Sequence, residues 1–414
     1  MNLNNYLAII LILFFSGSVG AQGFVNTDIT GYARNYTGVL LNNENNFSII
    51  QNTLNLNFEK STERGGFKVN PYLNHYFDRE LEIGLREAYL DLYFKNFDIR
   101  VGKQQVIWGK AEGVFITDVV SPKDLREFLL PDFDEIRTGI TAVKLNYFSG
   151  AHSIEAVWTP VFTPTQMPEQ GSIWAPKMPF PMQPVWDYST SEVKPSLENS
   201  EVYLRYSMMG SAFDFELVGG HFFYDDPSMF VTRQMDMQTQ QLTGLTVRPE
   251  YQRVSMGGGS FSLPLGGLVL RGEGAYYTGR HFQTANPMAT GSKVQKDNLH
   301  YMAGLDYILG GVRLSAQFIQ EYILDYDDAI NNNEFENTMT FLAKKDFLRE
   351  KLWLELFAYI GLNNGDALIR PKASYSLADG FELIAGANLF VGNEGRFGQY
   401  DNNDMLYMKL KYNF

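Results

Sequence analysis

The sequence contains no cysteine, which excludes a disulfide scaffold, thiol chemistry and cysteine-ligated metal. Histidine is scarce: His75, His152, His221, His281 and His300 are scattered, and no spacing singles out two as a nucleophile–base or metal-ligand pair. Basic charge is in deficit, and a net charge of −13 argues against nucleic acid as a partner. After Ala21 no run approaches the roughly 18 apolar residues of a membrane helix. A phosphate loop is missing as well. Gly102 and Gly109 have six residues between them rather than four, and Lys110 is followed by Ala111. The acidic stretch DYDDAINNNEFEN (325–337) lacks metal-site spacing and reads as a hydrated loop. No catalytic group, metal or cofactor is therefore expected.

What is abundant is aromatic and small: 24 Tyr, 31 Phe and 37 Gly. The chain opens with an apolar run, Leu7 to Phe15, followed by Val19 and Ala21 at the −3 and −1 positions of a cleavage site. This layout reads as a secretory signal peptide over 1–21, although no Lys or Arg precedes the run. Residues 22–414 are then read as one domain. An exported, cysteine-free, acidic chain rich in Gly and aromatics fits a bacterial outer-membrane barrel; a large soluble secreted protein is the alternative. The last residues, DMLYMKLKYNF, alternate with period two, Leu406, Met408, Leu410, Tyr412 and Phe414 sharing one face.

Alternation and turn punctuation give eighteen strands between 26–40 and 404–414, with sixteen as the alternative count. The clearest are 351–363, 381–392 and 199–208; the strand at 97–108 contains the first Gly-Lys pair, and the second follows it. Short connectors near 96, 150, 210, 265, 310 and 379 alternate with long ones at 109–138, 163–198, 225–250, 283–297 and 393–403. That is the loop pattern of an antiparallel up-and-down transmembrane β-barrel, and a barrel of this size encloses water unless loops fill it. A channel passing a small amphipathic or apolar molecule is the first functional expectation. A closed barrel docking a partner or lipid through its loops is the second, and a lipid hydrolase the third.

Parity assigns Glu87, Tyr89, Asp91, Arg205, Arg313, Glu355, Arg370 and Lys372 to the lumen. Both signs occur, so the wall declares neither an anion nor a cation preference, and pairing across strands is the plainer reading. The segment Arg100, Lys103, Gln104, Trp108 is harder. Lys103 and Gln105 share the parity of Ile99 and Val101, so either Gly102 marks a bulge or another element covers that face. From Gly109 the chain leaves the wall, and the loop is expected to fold inward with Asp118, Lys123, Asp124 and Arg126 near a constriction. A second loop carries Trp174, Met178, Phe180, Met182 and Trp186, and a third carries Met229 and Met235. Such apolar loops are expected to pack over the barrel mouth, as a plug or to capture a ligand.

Two resemblances follow from these residues. The terminal strand, with Leu410, Tyr412 and Phe414, resembles the C-terminal signal read by the outer-membrane barrel assembly machinery. Arg86, Glu87, Ala88, Tyr89, Leu90, then Arg100, Gly102, Lys103, Gln104, Trp108, Gly109, then Asp118, Ser121, Pro122, Asp124 resemble an uncharacterised family of proteobacterial outer-membrane barrels of unknown function. The segment from 375 to the end also looks like that family's closing strands. The resemblance implies a porin-like barrel in the outer membrane, in contact with its lipid. It also implies periplasmic or inner-membrane exporter components as partners. A weaker similarity, in strand count and charged lumen, is to the alginate-export porin.

Overall fold

In the computed structural model the described residues are 27–42, 46–177, 180–236, 238–239, 241–286 and 288–414. Segment 1–21 and Met178 lie outside them. The first strands are β1 (Asp28–Leu40), β2 (Phe47–Ser61), β3 (Gly65–Tyr76), β4 (Glu82–Tyr93), β5 (Phe97–Gln104), β6 (Ile140–Ser149) and β7 (His152–Thr159). They are followed by β8 (Val185–Trp186), β9 (Glu201–Met209), β10 (Asp214–Phe223), β11 (Ser228–Met235), β12 (Leu242–Glu250), β13 (Arg253–Leu265) and β14 (Leu268–Gln283). The last are β15 (Lys293–Leu309), β16 (Val312–Ile323), β17 (Phe335–Phe347), β18 (Leu352–Gly361), β19 (Asp366–Ala378), β20 (Phe381–Val391) and β21 (Met405–Asn413). Eighteen of these form one sheet, each antiparallel to its neighbours, and β8, β11 and β12 form a separate three-stranded sheet.

The large sheet closes where β1 pairs with β21, from Tyr32 opposite Asn413 to Leu40 opposite Met405. The terminal residue completes the seam: Phe414 N–H donates to Gly31 O at 3.0 Å, and Gly31 N–H to Phe414 O at 2.9 Å. Closure leaves no edge strand, which is how a sheet survives without water on its rim.

Period-two sequence produces two different faces. In β18, Leu354 and Leu356 are 43% and 46% exposed on the outside, whereas Tyr359 on the other parity is 1% exposed. The same outward belt includes Leu145, Ile154, Leu204, Leu217, Leu305, Phe341 and Met408, all exposed. Exposing each such side chain to water forgoes about 1.5–3 kcal/mol, so the belt fits a hydrocarbon surround. At the short-turn end aromatics gather: Phe94 stacks on Phe97 and Phe381 on Tyr412, each pair 4.4 Å apart between ring centres.

The structure corrects two sequence expectations. β5 ends at Gln104, not at 108. After it the chain turns inward: Gln105 N–H donates to Glu87 Oε1 at 3.1 Å, and Gln105 Nε2 donates to Arg137 O at 2.6 Å. Val106 and Trp108 are then buried in a cluster with Ile116, Ile140 and Tyr203. The stretch 225–250, read as a loop, contains the β11–β12 hairpin, onto which β8 adds in parallel. One irregularity positions the site below. The β3–β4 register shifts at Asn70/Pro71, a place where proline is tolerated in a strand. Arg86 and Glu87 consequently both reach partners, Glu135 and Lys68 respectively.

Candidate functional site

Residues 105–139 run through the barrel interior and are held by the wall all round. On β14, Glu273 accepts from Lys110 N–H (2.5 Å), Ala111 N–H (2.9 Å), Thr117 N–H (2.8 Å) and Thr117 Oγ1 (2.8 Å). The Gly-Lys pair of the sequence is thus an anion cradle occupied by the wall's own carboxylate. Gly109 has a φ of 79°, and a Cβ there would lie 2.5 Å from Glu273 Oε1. Next along the wall, Tyr277 donates to Ile116 O (2.7 Å) and Tyr359 to Gly113 O (2.9 Å). Arg313 pairs with Glu112, whose backbone also exchanges hydrogen bonds with Gln317. Arg370 donates to Leu129 O and Leu130 O at 2.9 and 2.7 Å. Lys409 meets Asp132 at 3.0 Å, and Arg34 meets Glu135 at 2.8 Å. Strands β1, β14, β16, β18, β19 and β21 therefore all grip one segment.

Of the sequence candidates in this region, several brace the loop. Gln104 is fully buried and donates to Ala142 O at 3.0 Å. Trp108 Nε1 donates to Glu155 at 2.6 Å. Asp118 accepts from Trp108 N–H at 3.1 Å and from Arg137 at 2.7 Å. Burial pushes the Asp118 carboxyl above its ordinary value, with Arg137 opposing. Lys123 pairs with Asp225 at 3.7 Å, and Arg126 with Asp124 at 2.6 Å and Glu82 at 3.3 Å. Glu127, beside them, makes no ion pair among the described residues, and burial pushes it up to about 7.

The wall candidates pair across strands. Glu87 meets Lys68 (2.7 Å), and Asp91 meets Arg100 (2.7 Å), whose guanidinium lies 3.8 Å from the Tyr89 ring centre. Glu155 bridges Lys144 and Arg205, and Arg205 continues to Glu216. Glu355 bridges Lys344 and Lys372. Lys103 stands apart. Gly102 has a φ of 132°, in the region only glycine adopts readily, and Lys103 lines an interior cavity although it sits opposite Ala88 in the register.

That cavity, about 130 Å³, lies between β1–β5 and the loop. Arg34, Arg86, Lys103, Glu127, Glu135 and three tyrosines border it. Sequence reasoning missed Arg34, Glu135 and Glu273. The signal for Arg34 was its position one parity step from the apolar residues of β1, but its acid lies about a hundred residues away.

The apolar loops divide in two. Trp174 is 5% exposed among Phe390 and Tyr400, and its carbonyl accepts from Tyr400 OH at 3.0 Å. Phe180, Met182, Trp186 and Met229 instead pack on Val231, Leu245 and Val247 in the small outer sheet. Met235 is 51% exposed. One Ser–His contact exists that spacing did not reveal, His221 Nδ1 to Ser255 Oγ at 2.8 Å on the outer wall. No hydrogen bond to a carboxylate or amide orients that ring among the described residues.

Comparison with known proteins bears on this barrel. A family model described as a protein of unknown function, DUF1302, matches residues 33–343. No curated protein matches. Among solved structures, Pseudomonas aeruginosa OccK8 (OprE) has a TM-score of 0.56 at 10% identity, over 94% of this chain and 98% of its own. Acinetobacter baumannii OccAB1 has a TM-score of 0.56 at 11% identity, over 96% and 99%. P. aeruginosa OccK2 (OpdF), in complex with glucuronate, has a TM-score of 0.55 at 11% identity, over 94% and 98%. At such identities the likeness is one of fold.

Proposed function

The chain belongs to the DUF1302 family of proteins of unknown function, and from its barrel we propose an outer-membrane channel of a Gram-negative bacterium. It passes small amphipathic solutes through a lumen constricted by residues 105–139. The observation that carries the reading is the gripping of that segment by strands all round the wall, with Glu273 at one side and Arg370 at another. A segment held so firmly narrows a water-filled barrel to a fixed passage instead of occupying it loosely. A structure of similar fold, in complex with glucuronate, supports solute recognition by a barrel of this kind. The outward apolar belt and aromatic turn end support a membrane position, and the pairing of Phe414 at the seam supports its role in assembly. The hydrolase reading gains no support from the His221–Ser255 contact, which faces outward with no carboxylate or amide orienting the ring among the described residues.

The test is conductance of the purified barrel in planar bilayers. Discrete single-channel currents are expected. Silence from the intact protein, and from one lacking 163–198, would remove the channel reading and favour a closed barrel that docks a partner.

A further inference from the structure

We propose that the barrel wall has a lateral portal between β4 and the start of β6, through which a single-chain amphiphile passes between the lumen and the outer leaflet; this rests on the channel reading and gives the channel a side branch. The first ground is the wall itself. Although the sheet closes at β1 and β21, the β4–β5 ladder stops at Ala88 opposite Lys103, so Glu82–Glu87 of β4 have ladder partners on β3 alone. β5 has eight residues, short of the roughly 9–11 that a spanning strand needs. Gly139, just ahead of β6, comes up against the free edge, where a Cβ on it would lie 2.3 Å from Arg86 O. Among the described residues no backbone–backbone hydrogen bond from 105–139 reaches that edge. Unpaired backbone at membrane depth persists only where protein covers it or where it lines a cavity.

The second ground is a cavity that crosses the wall at this gap. Register places Leu85 on the same face as Ile83, which is 71% exposed on the outside, and Lys103 on the face of Ala88. Both border the cavity of about 130 Å³, and so do Arg34, Gln51 and Tyr72, whose side chains come from the lumen face. A cavity bordered by both faces of one wall passes through it. The third ground is depth. Phe77, Leu81 and Ile83 lie farther from the short turns than the end of β5, and all are more than half exposed. Each apolar side chain left in water forgoes about 1.5–3 kcal/mol, so hydrocarbon extends past the gap on this side.

The lining changes character across the wall. Arg34, Gln51 and Glu135 on the lumen side suit a polar head, whereas Leu85, with Pro71 and Ile83 beside it on the outer face, meets an alkyl chain. An inorganic ion or a sugar gains nothing from the outer half, and a hydrocarbon leaves the polar groups of the inner half unpaired. A molecule with both parts uses the whole passage, its head and tail divided as in a side chain that snorkels. A slot one missing strand wide, about 5 Å by strand spacing, takes one extended chain in preference to two.

The experiment uses the full barrel in phosphatidylethanolamine vesicles, with an alkyl maltoside, uncharged at its head, that carries a diazirine in its chain. Because the sequence has no cysteine, Ile83→Cys on β4 and Thr141→Cys on β6 can be joined across the gap by a reducible bis-thiol linker. Illumination is expected to label the peptide containing Pro131 and Thr138, which border the cavity from the inward loop. Closing the linker should cut that labelling at least fivefold, reductant should restore it, and single-channel current should stay as in the unlinked variant. Slow migration of unheated samples on gels verifies that each form is a folded barrel. Labelling of 131–138 that ignores the linker, or a current lost together with the labelling, would overturn the proposal. Currents without any labelling of 131–138 refute the portal and leave the channel standing. Linker-sensitive labelling without currents refutes the channel and leaves the portal standing.

Discussion

Replacing Glu273 attacks the inward segment where one side chain carries most of its attachment. The carboxylate accepts four hydrogen bonds, from Lys110, Ala111 and twice from Thr117. Glutamine keeps the shape but offers one acceptor oxygen, and turns an NH2 group toward donors it cannot satisfy. Hydrogen bonds to a charged group contribute about 1.5–3 kcal/mol each, so losing two amounts to roughly 3–6 kcal/mol by simple addition. Bonds sharing one acceptor couple, and the lower end is the better expectation. A change of ~3 kcal/mol shifts the balance between docked and released segment about 150-fold. The wall itself loses little, because β14 keeps both its neighbours. Single-channel recording should therefore show Glu273→Gln with a larger mean conductance and more rapid fluctuation than wild type, and Glu273→Ala further along the same direction. A folded Glu273→Ala barrel whose traces superimpose on wild type would refute the constriction argument.

Three further outcomes follow from the same segment and its neighbour. Glu127 is held up to about 7 by burial against a usual 4.5, so docking binds its proton. The stabilisation is full below the usual value and is lost as pH rises through about 7; current fluctuation should increase from roughly pH 5 to 8, and Glu127→Gln should flatten that dependence. Gly113 has a φ of 86°, and a Cβ there would lie 2.6 Å from Phe357 Cζ; Gly113→Ala should loosen the segment by more than about 1 kcal/mol, read as faster hydrogen exchange over 110–117. Trp174→Ala removes a buried ring between Phe390 and Tyr400, a loss of about 3–5 kcal/mol; protease should then cut within 163–177 while the barrel keeps its gel mobility.

The wall was legible because two surroundings enforce one period. Each strand has a lipid-side and a lumen-side parity, and a slip of one residue would put Glu355 where Leu354 stands. The interior was less so, and the reason is the kind of partner used. Glu273 holds backbone amides of Lys110, Ala111 and Thr117, groups that every sequence carries alike, from more than 150 positions away. Arg370 likewise holds carbonyls of Leu129 and Leu130. The small outer sheet was hidden for another reason. Its third strand, β8, has two residues, too few to show a period, so Phe180 and Trp186 looked like ligand-seeking surface when they cover one another.

The most informative residue was the one that broke the pattern. Lys103 occupies a parity that the apolar neighbours Ile99 and Val101 assign to lipid, where a lysine cannot remain unpaired at low cost. The structure relieves the conflict by ending β5 one residue later, with Gly102 adopting a φ of 132°. The wall strand gives way to the constricting loop at that point, and Lys103 borders the cavity that contains the unpartnered Arg34 and Arg86 nitrogens. Had the role of Lys103 been only to end a strand, any polar residue would have sufficed there. A cation set beside two arginines that share one carboxylate, Glu135, adds repulsion there. A buried ammonium without an ion pair among the described residues also carries a desolvation cost, so Lys103→Gln should raise the thermal stability of the folded barrel. A variant of lower thermal stability would indicate that Lys103 supports the wall, and would refute this reading.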